Sequence, residues 1–401
     1  MNILYIANAR VPSEKAHPYQ IIKMCESLKK NNVELTLILP FRFQTKKIKS
    51  AKKNIFDYYQ VSKKFKIIKL PCIDFIWIDL YLEIPELVLH LAFYLQAFTF
   101  AISALIYVLF KKSDIIYSRD EFALFFLSFF KKKLYFEAHT FHKKGRKLYK
   151  LLLGKIDGLV VITNKLKELY IKEGIPEEKI IVAPDGVDLT MFSTFPSKED
   201  ARRDLGLSLN ITIIGYVGRF HTMGMEKGID ILIKAHKIIK KKEKNAILCL
   251  VGGPKEAIPK YRRIAKNEGL AKEDIIFIDH VYPYKVPLYI HAFDVCVMPF
   301  PWNTYYAYYI SPLKLFEYMA SKRPIVATDL PSVREILIDG ENAILVEPNN
   351  PKALAEGVEK VLENEKIAKK IAENAYMDVL QYTWDKRAEN ILEFIFRGKG
   401  E

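Results

Sequence analysis

Short apolar runs alternate with stretches of helical period along almost the whole chain, which is the pattern of α/β domains built on parallel sheets. In the first half the strand-like runs fall at 3–7, 34–39, 66–70, 115–117, 134–137, 159–162 and 180–183. Helical periods at 19–30, 87–110, 122–130 and 165–172 lie between them. The second half repeats the scheme, with strands at 211–216, 246–251, 275–278, 295–299, 325–328 and 343–346. Its helices are expected at 228–242, 259–267, 286–292 and 312–320, followed by one long helix over 351–376. Residues 185–210 hold Pro196 and several serines without a strong period, a linker signal. The pattern predicts two Rossmann-like domains, 1–195 and 205–380, with parallel sheets facing a ligand cleft between them. A last helix, about 383–401, is expected to pack back on the first domain.

One helical segment needs its own decision. Residues 87–110 carry no formal charge and, at about 1.5 Å per residue, could span a hydrocarbon core. Gln96, Thr99, Ser103 and Tyr107 form a weakly polar stripe, and 115–117 reads as the next sheet strand. A spanning helix would put that strand on the wrong side of the membrane. We therefore read a packed domain helix, with contact to a membrane surface as the first alternative and a true span as the second.

Composition narrows the picture further. Half of the residues are hydrophobic and 27% are charged, as in globular proteins. A net charge of +15 points to an anionic partner: nucleic acid, an anionic membrane face or a phosphorylated substrate. No RNA-binding aromatic signature, zinc finger or basic zipper accompanies the lysines, so nucleic acid is set aside. Cys25, Cys72, Cys249 and Cys296 lie far apart with no CxxC pair and read as reduced thiols. The amino terminus reads as a first strand, not a signal peptide. A cytoplasmic location is expected, with peripheral attachment to the inner membrane face as an extension of it.

The candidate chemistry sits at strand ends. Gly218-Arg219-Phe220 and Glu226-Lys227-Gly228 lie between a strand and a helix, where glycines admit a ligand and a helix amino terminus favours phosphate. Arg219 and Lys227 bracket a loop at 220–225, read as flexible, and suit a diphosphate. The spacing is neither GxGxxG nor a P-loop. Ser311-Pro312 opens a helix whose Leu313, Leu315, Phe316 and Met319 are expected to face the sheet. Its single acid, Glu317, is placed to hold a ribose, against the plainer reading of a surface acid. In the first half, Arg119 and His139 follow strands, and the loop 8–17 carries Arg10, Lys15 and His17. Arg10, His17 and Arg119 suit an anionic acceptor; a solvated loop is the alternative for the first two. No Asp/His cluster has metal-ligand spacing, so no metal and no cofactor are expected.

With these segments in view, the chain resembles glycosyltransferase family 4, retaining enzymes of the GT-B fold that use nucleotide-diphosphate sugars. The resemblance rests on Gly218-Arg219…Glu226-Lys227-Gly228, Val251-Gly252-Gly253-Pro254, the run from Ser311 to Ala320, Ala327-Thr328-Asp329-Leu330-Pro331 and Ala183-Pro184-Asp185-Gly186-Val187-Asp188. It implies that Arg219 and Lys227 bind the donor pyrophosphate and stabilise the departing phosphate. Gly218, Ser311, Pro312 and the amides of Leu313 and Lys314 would line the donor, Glu317 would hold its ribose, and Val281 would touch its base. His139 would lie near the reacting sugar, with a core histidine satisfied by backbone as the plainer reading. The family's first acid of E-x7-E falls on Tyr309 here, which puts the sugar's identity in doubt. The aromatic run 305–309 is read either as a sugar-facing surface or as a packed loop. The implied activity is hexosyl transfer from a nucleotide sugar to a glycan or lipid-linked acceptor, in polysaccharide or glycolipid synthesis. A binding protein without turnover, favoured by Tyr309, and a phosphorylase or epimerase on the same architecture are the alternatives.

Overall fold

The computed structural model describes residues 1–44, 54–80, 85–130, 133–141, 146–193 and 196–397. The chain divides into two compact units, Met1–Pro184 with the segment from Trp384, and Asp185–Thr383.

The first unit is built on seven parallel strands: β1 (Asn2–Ile6), β2 (Glu34–Pro40), β3 (Lys66–Leu70), β4 (Ile115–Ser118), β5 (Lys133–Ala138), β6 (Gly158–Val161) and β7 (Ile180–Val182). Their order is β3-β2-β1-β4-β5-β6-β7, with Ile3 beside both Leu35 and Ile115. The central strands β1, β4 and β5 are mostly apolar and almost wholly buried, as expected where helices cover both faces, with Ser118 and Glu137 as buried polar exceptions. Among those helices are α1 (Ala16–Lys30), α2 (Glu86–Leu109) and α3 (Glu121–Leu127). The helix Trp384–Arg397, which ends the described chain, joins this unit against α1. There Ser27 Oγ donates to Asp385 Oδ1 at 2.6 Å, Lys30 pairs with Asp385 at 3.1 Å, and Phe394 meets Tyr135 edge-on.

Helix α2 settles the question raised by 87–110 for one of its faces. Gln96 Nε2 donates to Asn8 Oδ1 at 3.0 Å and Ser103 Oγ to the Pro71 carbonyl at 2.8 Å. Ala97, Phe100, Ala101 and Ala104 are buried on the same side.

The second unit has a six-stranded parallel sheet and a small hairpin. In chain order the strands are β8 (Thr212–Val217), β9 (His221–Thr222), β10 (Met225–Glu226), β11 (Ala246–Val251), β12 (Ile275–Ile278), β13 (Val295–Met298), β14 (Ile325–Thr328) and β15 (Ile344–Val346). The sheet runs β12-β11-β8-β13-β14-β15, and β9 pairs antiparallel with β10. Helices α4 (Ile229–Ile239) and α5 (Leu313–Ala320) carry the segments of chemical interest.

Three local expectations change. The 220–225 loop is the β9–β10 hairpin, turned at Met223 (φ 48°) and Gly224 (φ 73°) and closed by the Lys227 amide donating to Phe220 O at 3.0 Å. The helix expected over 351–376 breaks at Asn364, which accepts from the Ile367 amide at 3.1 Å and starts a new helix, Glu365–Val379. The supposed linker 185–210 belongs to the second unit, so the first ends at Pro184 instead of 195. Its short helix Lys198–Asp204 is held by buried Arg202, which donates to the Ala292 carbonyl at 2.9 Å and to Asp294 Oδ2 at 2.5 Å. Such distant partners leave no trace in local periodicity.

Candidate functional site

In the second unit, the carboxyl end of β8 and the start of α5 converge. Tyr318 Oη on α5 accepts from the Val217 amide at 2.8 Å and fixes the helix against the end of the strand. The chain then turns at Gly218, whose φ of 127° excludes most side chains. A Cβ there would sit 2.9 Å from Lys314 Nζ, so the glycine also makes room for that ammonium. Gly228 caps α4 with φ 79°, and a Cβ on it would collide with the Pro299 carbonyl. Lys227 and the first turn of α4 are therefore held close to the carboxyl end of β13.

The side chains gathered here are mostly cations. Burial, then the Arg219 charge, lowers the Lys227 ammonium to about 8. Lys314 is buried on α5, its Nζ 3.5 Å over the Tyr216 ring and without a hydrogen-bond partner. Burial and the Lys227 charge hold it well below the usual lysine range. Glu317, one turn further on, is pushed up to about 7 by burial, against the pull of Lys314. Among the described residues no carboxylate pairs with Arg219 or Lys227 at ion-pair distance. The amides of Leu313 and Lys314 open α5 and have no acceptor within the helix. This arrangement can hold an anion through two or three ammonium or guanidinium groups and a helix amino terminus.

Other expected donor residues are less free. Ser311 Oγ accepts from the Asp185 amide at 2.8 Å, and Pro312 is the cap of α5. Val281 packs half-buried against the core of the unit. Leu313 is only half-buried and Lys314 takes an inward position instead, contrary to the expectation for this helix. The aromatic run is a short helix, Thr304–Tyr308, with Tyr306 buried and stacked on Phe300 at 4.9 Å. Tyr309 caps its end, half-buried.

In the first unit, β5 ends on a second cluster. Glu137 is 1% exposed, and its carboxylate accepts from Gln20 Nε2 at 2.7 Å, Arg387 Nη2 at 3.0 Å, His139 Nε2 at 2.6 Å and the Tyr117 hydroxyl. Burial alone would raise this carboxyl, but Arg387, the His139 hydrogen bond and the Arg119 charge hold it well below the usual range. An ionised Glu137 can only accept, so the proton of His139 lies on Nε2 and Nδ1 offers a lone pair. Burial, then Arg119, lowers His139 to about 4, which keeps the ring neutral at neutral pH. His139 is thus satisfied by a side chain, not by backbone, and its remaining nitrogen is an acceptor. Arg119 donates to Gln20 Oε1. Burial, Arg119 and His139 hold His17 well below the usual histidine range, which places it in the same cluster. Arg10 is separate: its neighbours are Arg42 and Asp74, themselves paired at 3.4 Å.

Comparison with known proteins bears on both units. Residues 211–364 match the family described as glycosyl transferases group 1. This group 1 stretch contains Gly218, Arg219, Lys227, Val281, Tyr309, Ser311, Pro312, Leu313, Lys314 and Glu317. The chain is 25% identical over 248 residues to a D-inositol 3-phosphate glycosyltransferase of Corynebacterium glutamicum, covering 60% of this chain and 57% of that one. It is 25% identical over 280 residues to the glycosyltransferase MJ1069 of Methanocaldococcus jannaschii, covering 69% and 66%. The matches thus span between about half and two thirds of these relatives' length. Among solved structures, sucrose-phosphate synthase of Thermosynechococcus elongatus superposes with a TM-score of 0.73 at 18% identity, over 99% of this chain and 98% of that one. Anabaena Alr3699/HepE, solved in complex with UDP, gives 0.72 at 17% identity, over 99% and 100%. At such identities the likeness is one of fold: two parallel-sheet α/β domains of the GT-B type.

The side chains of Lys314 and Arg387 were not singled out from the sequence, nor was the way Glu137 ties His139 to Gln20 and Arg387. Lys314 had a signal, a cation one helical turn from Glu317. Arg387 had none, since its partner lies 250 positions away.

Proposed function

We propose that this chain is a retaining glycosyltransferase that moves a sugar, a hexose in our reading, from a nucleoside-diphosphate donor to a hydroxyl acceptor of a glycan or glycolipid. The observation that carries the reading is the surplus of cations at the end of β8: Arg219, Lys227 and Lys314 beside the amino terminus of α5, with one acid, Glu317. Departure of the diphosphate builds negative charge on its oxygens. Cations already in place stabilise that charge without reorganising at the moment of reaction. Glu317 then accepts from the ribose hydroxyls, and binding there favours its ionised form. In the first unit, Nδ1 of His139 takes a hydrogen bond from a sugar or acceptor hydroxyl, oriented by Glu137. The relatives in the group 1 family support transfer as the reaction class, and one solved neighbour of the same fold is a complex with UDP-glucose.

The test begins with thermal unfolding in the presence of UDP, GDP, ADP and their sugar conjugates. A ligand at about 100 times its Kd adds roughly 2.7 kcal/mol of stability, and Glu317→Ala should remove the shift. With the donor so identified, Lys227→Ala and Arg219→Ala should each lower turnover by about 10- to 150-fold, corresponding to about 1.5–3 kcal/mol of lost charge-assisted contact. Wild-type turnover in either variant would remove that residue from the mechanism. Release of nucleoside diphosphate only when acceptor is present separates transfer from binding without turnover.

A further inference from the structure

Helix α2 is apolar over most of its surface, yet much of that surface is uncovered, with the edge of Tyr94 and Phe98 resting on Phe122 and Phe126 of α3. Leu87, Leu91, Tyr94, Phe98, Ile106 and Leu109 recur at helical spacing and are all exposed, Leu91 by 62% and Phe98 by 51%. Single exposed apolar residues are ordinary; a stripe running the length of a 24-residue helix is not. Phe110 follows at 83% exposure, and exposed Lys111 and Lys112 follow it.

The charge of the chain is just as unevenly placed. Residues 1–184 contain 31 Lys and Arg against 17 Asp and Glu, a net of +14, while 185–401 contain 31 against 30, a net of +1. The apolar stripe and nearly all the net positive charge therefore belong to the same part of the chain. We propose that this face of α2 docks the protein on an anionic lipid bilayer, with the helix lying in the interface plane. Anionic headgroups supply the sign that the lysines lack, whereas a second copy would bring another net-positive surface against the first. The helix does not cross the bilayer, because Gln96, Thr99 and Ser103 bind it to Asn8, Ile73 and Pro71 of its own unit. Insertion of the stripe to about 5–10 Å covers it without breaking those bonds. Asn8 opens the loop that carries Arg10 and leads into α1, where His17 lies in the first turn, so that loop stays tied to the docked helix.

The inference stands apart from the sugar-transfer reading and is tested without turnover. The full chain is sedimented with phosphatidylcholine vesicles, with and without phosphatidylglycerol. We expect binding to the anionic vesicles, weakened by added salt, and little to the neutral ones. Leu91→Glu with Phe98→Glu should lower the partition by at least about tenfold, and Lys111→Glu with Lys112→Glu by a similar factor, each with an unchanged circular dichroism spectrum. The proposal is overturned if the wild-type protein stays in the supernatant of the anionic vesicles, or if the Leu91/Phe98 variant sediments as it does. It is equally overturned if sedimentation velocity shows a dimer that this variant abolishes while vesicles bind neither protein.

Discussion

The two units bury charge in opposite ways. In the first, Glu137 is enclosed by Arg387, His139, Gln20 and Tyr117, so every donor it needs comes from its own unit. In the second, Arg219, Lys227 and Lys314 are drawn together, and among the described residues no carboxylate is in ion-pair contact with them and Lys314 Nζ has no hydrogen-bond partner. The Glu137 carboxylate is fully partnered within its own unit. The second site is incomplete in one sign, and an anion would finish it. A protein buries a lysine amine without a hydrogen-bond partner only at a cost in stability, whichever form it holds, so the cost marks where binding energy is held in reserve.

The largest effect expected from this contrast is in the first unit. Arg387→Ala leaves Glu137 buried without its main countercharge and should cost about 3–5 kcal/mol in denaturant unfolding. Combining Arg387→Met with Glu137→Gln should restore much of it, since neither charge then remains stranded. A cost below about 1 kcal/mol for the single change would mean that the cluster is not closed in the way described. Lys314→Met should act in the other direction, raising stability by about 1–3 kcal/mol while weakening donor binding. If it destabilises the protein, the ammonium has a partner in solution and the reserve does not exist.

The smallest effect is a pH dependence, and its sign differs between the units. Lys227 is lowered to about 8, so it is charged below that value and loses its proton as pH rises through it. Donor affinity should fall on the alkaline side, and Lys227→Arg should move that limb upward because a guanidinium stays charged. Glu137 is a depressed acid; its contribution is present above the ordinary carboxylate value and is lost as pH falls through its lower folded value. His139, near 4, is already neutral across the same range. An alkaline limb that survives Lys227→Arg unchanged would belong to another group, Lys314 first, which burial also lowers.

How much of this was legible in the sequence follows from what is local. Strands such as β1 and β14 are short apolar runs bounded by turns, and period alone finds them. The donor-side segments lie at strand ends and carry their glycines and cations within a few residues, so Arg219, Lys227 and Glu317 could be grouped in advance. The hairpin β9–β10 was missed because two-residue strands have no period to read. Asn364 was missed because a cap inside a continuous helical pattern looks like one more polar position. Arg202 and Arg387 reach partners through the folded unit, at separations that no window along the chain can join.

The first unit draws its last piece from the far end of the chain, and this orders events during synthesis. The ribosome delivers Glu137 early and Arg387 only after the whole of 185–383 has been made. At about 5–20 residues per second the nascent sheet waits roughly 10–40 s for the arginine that its carboxylate needs. Until then Glu137 must stay hydrated or protonated, so the amino-terminal unit cannot lock its core ahead of its partner. The second unit, continuous in sequence, is under no such delay, and in translation the order of completion should be the reverse of the order of emergence.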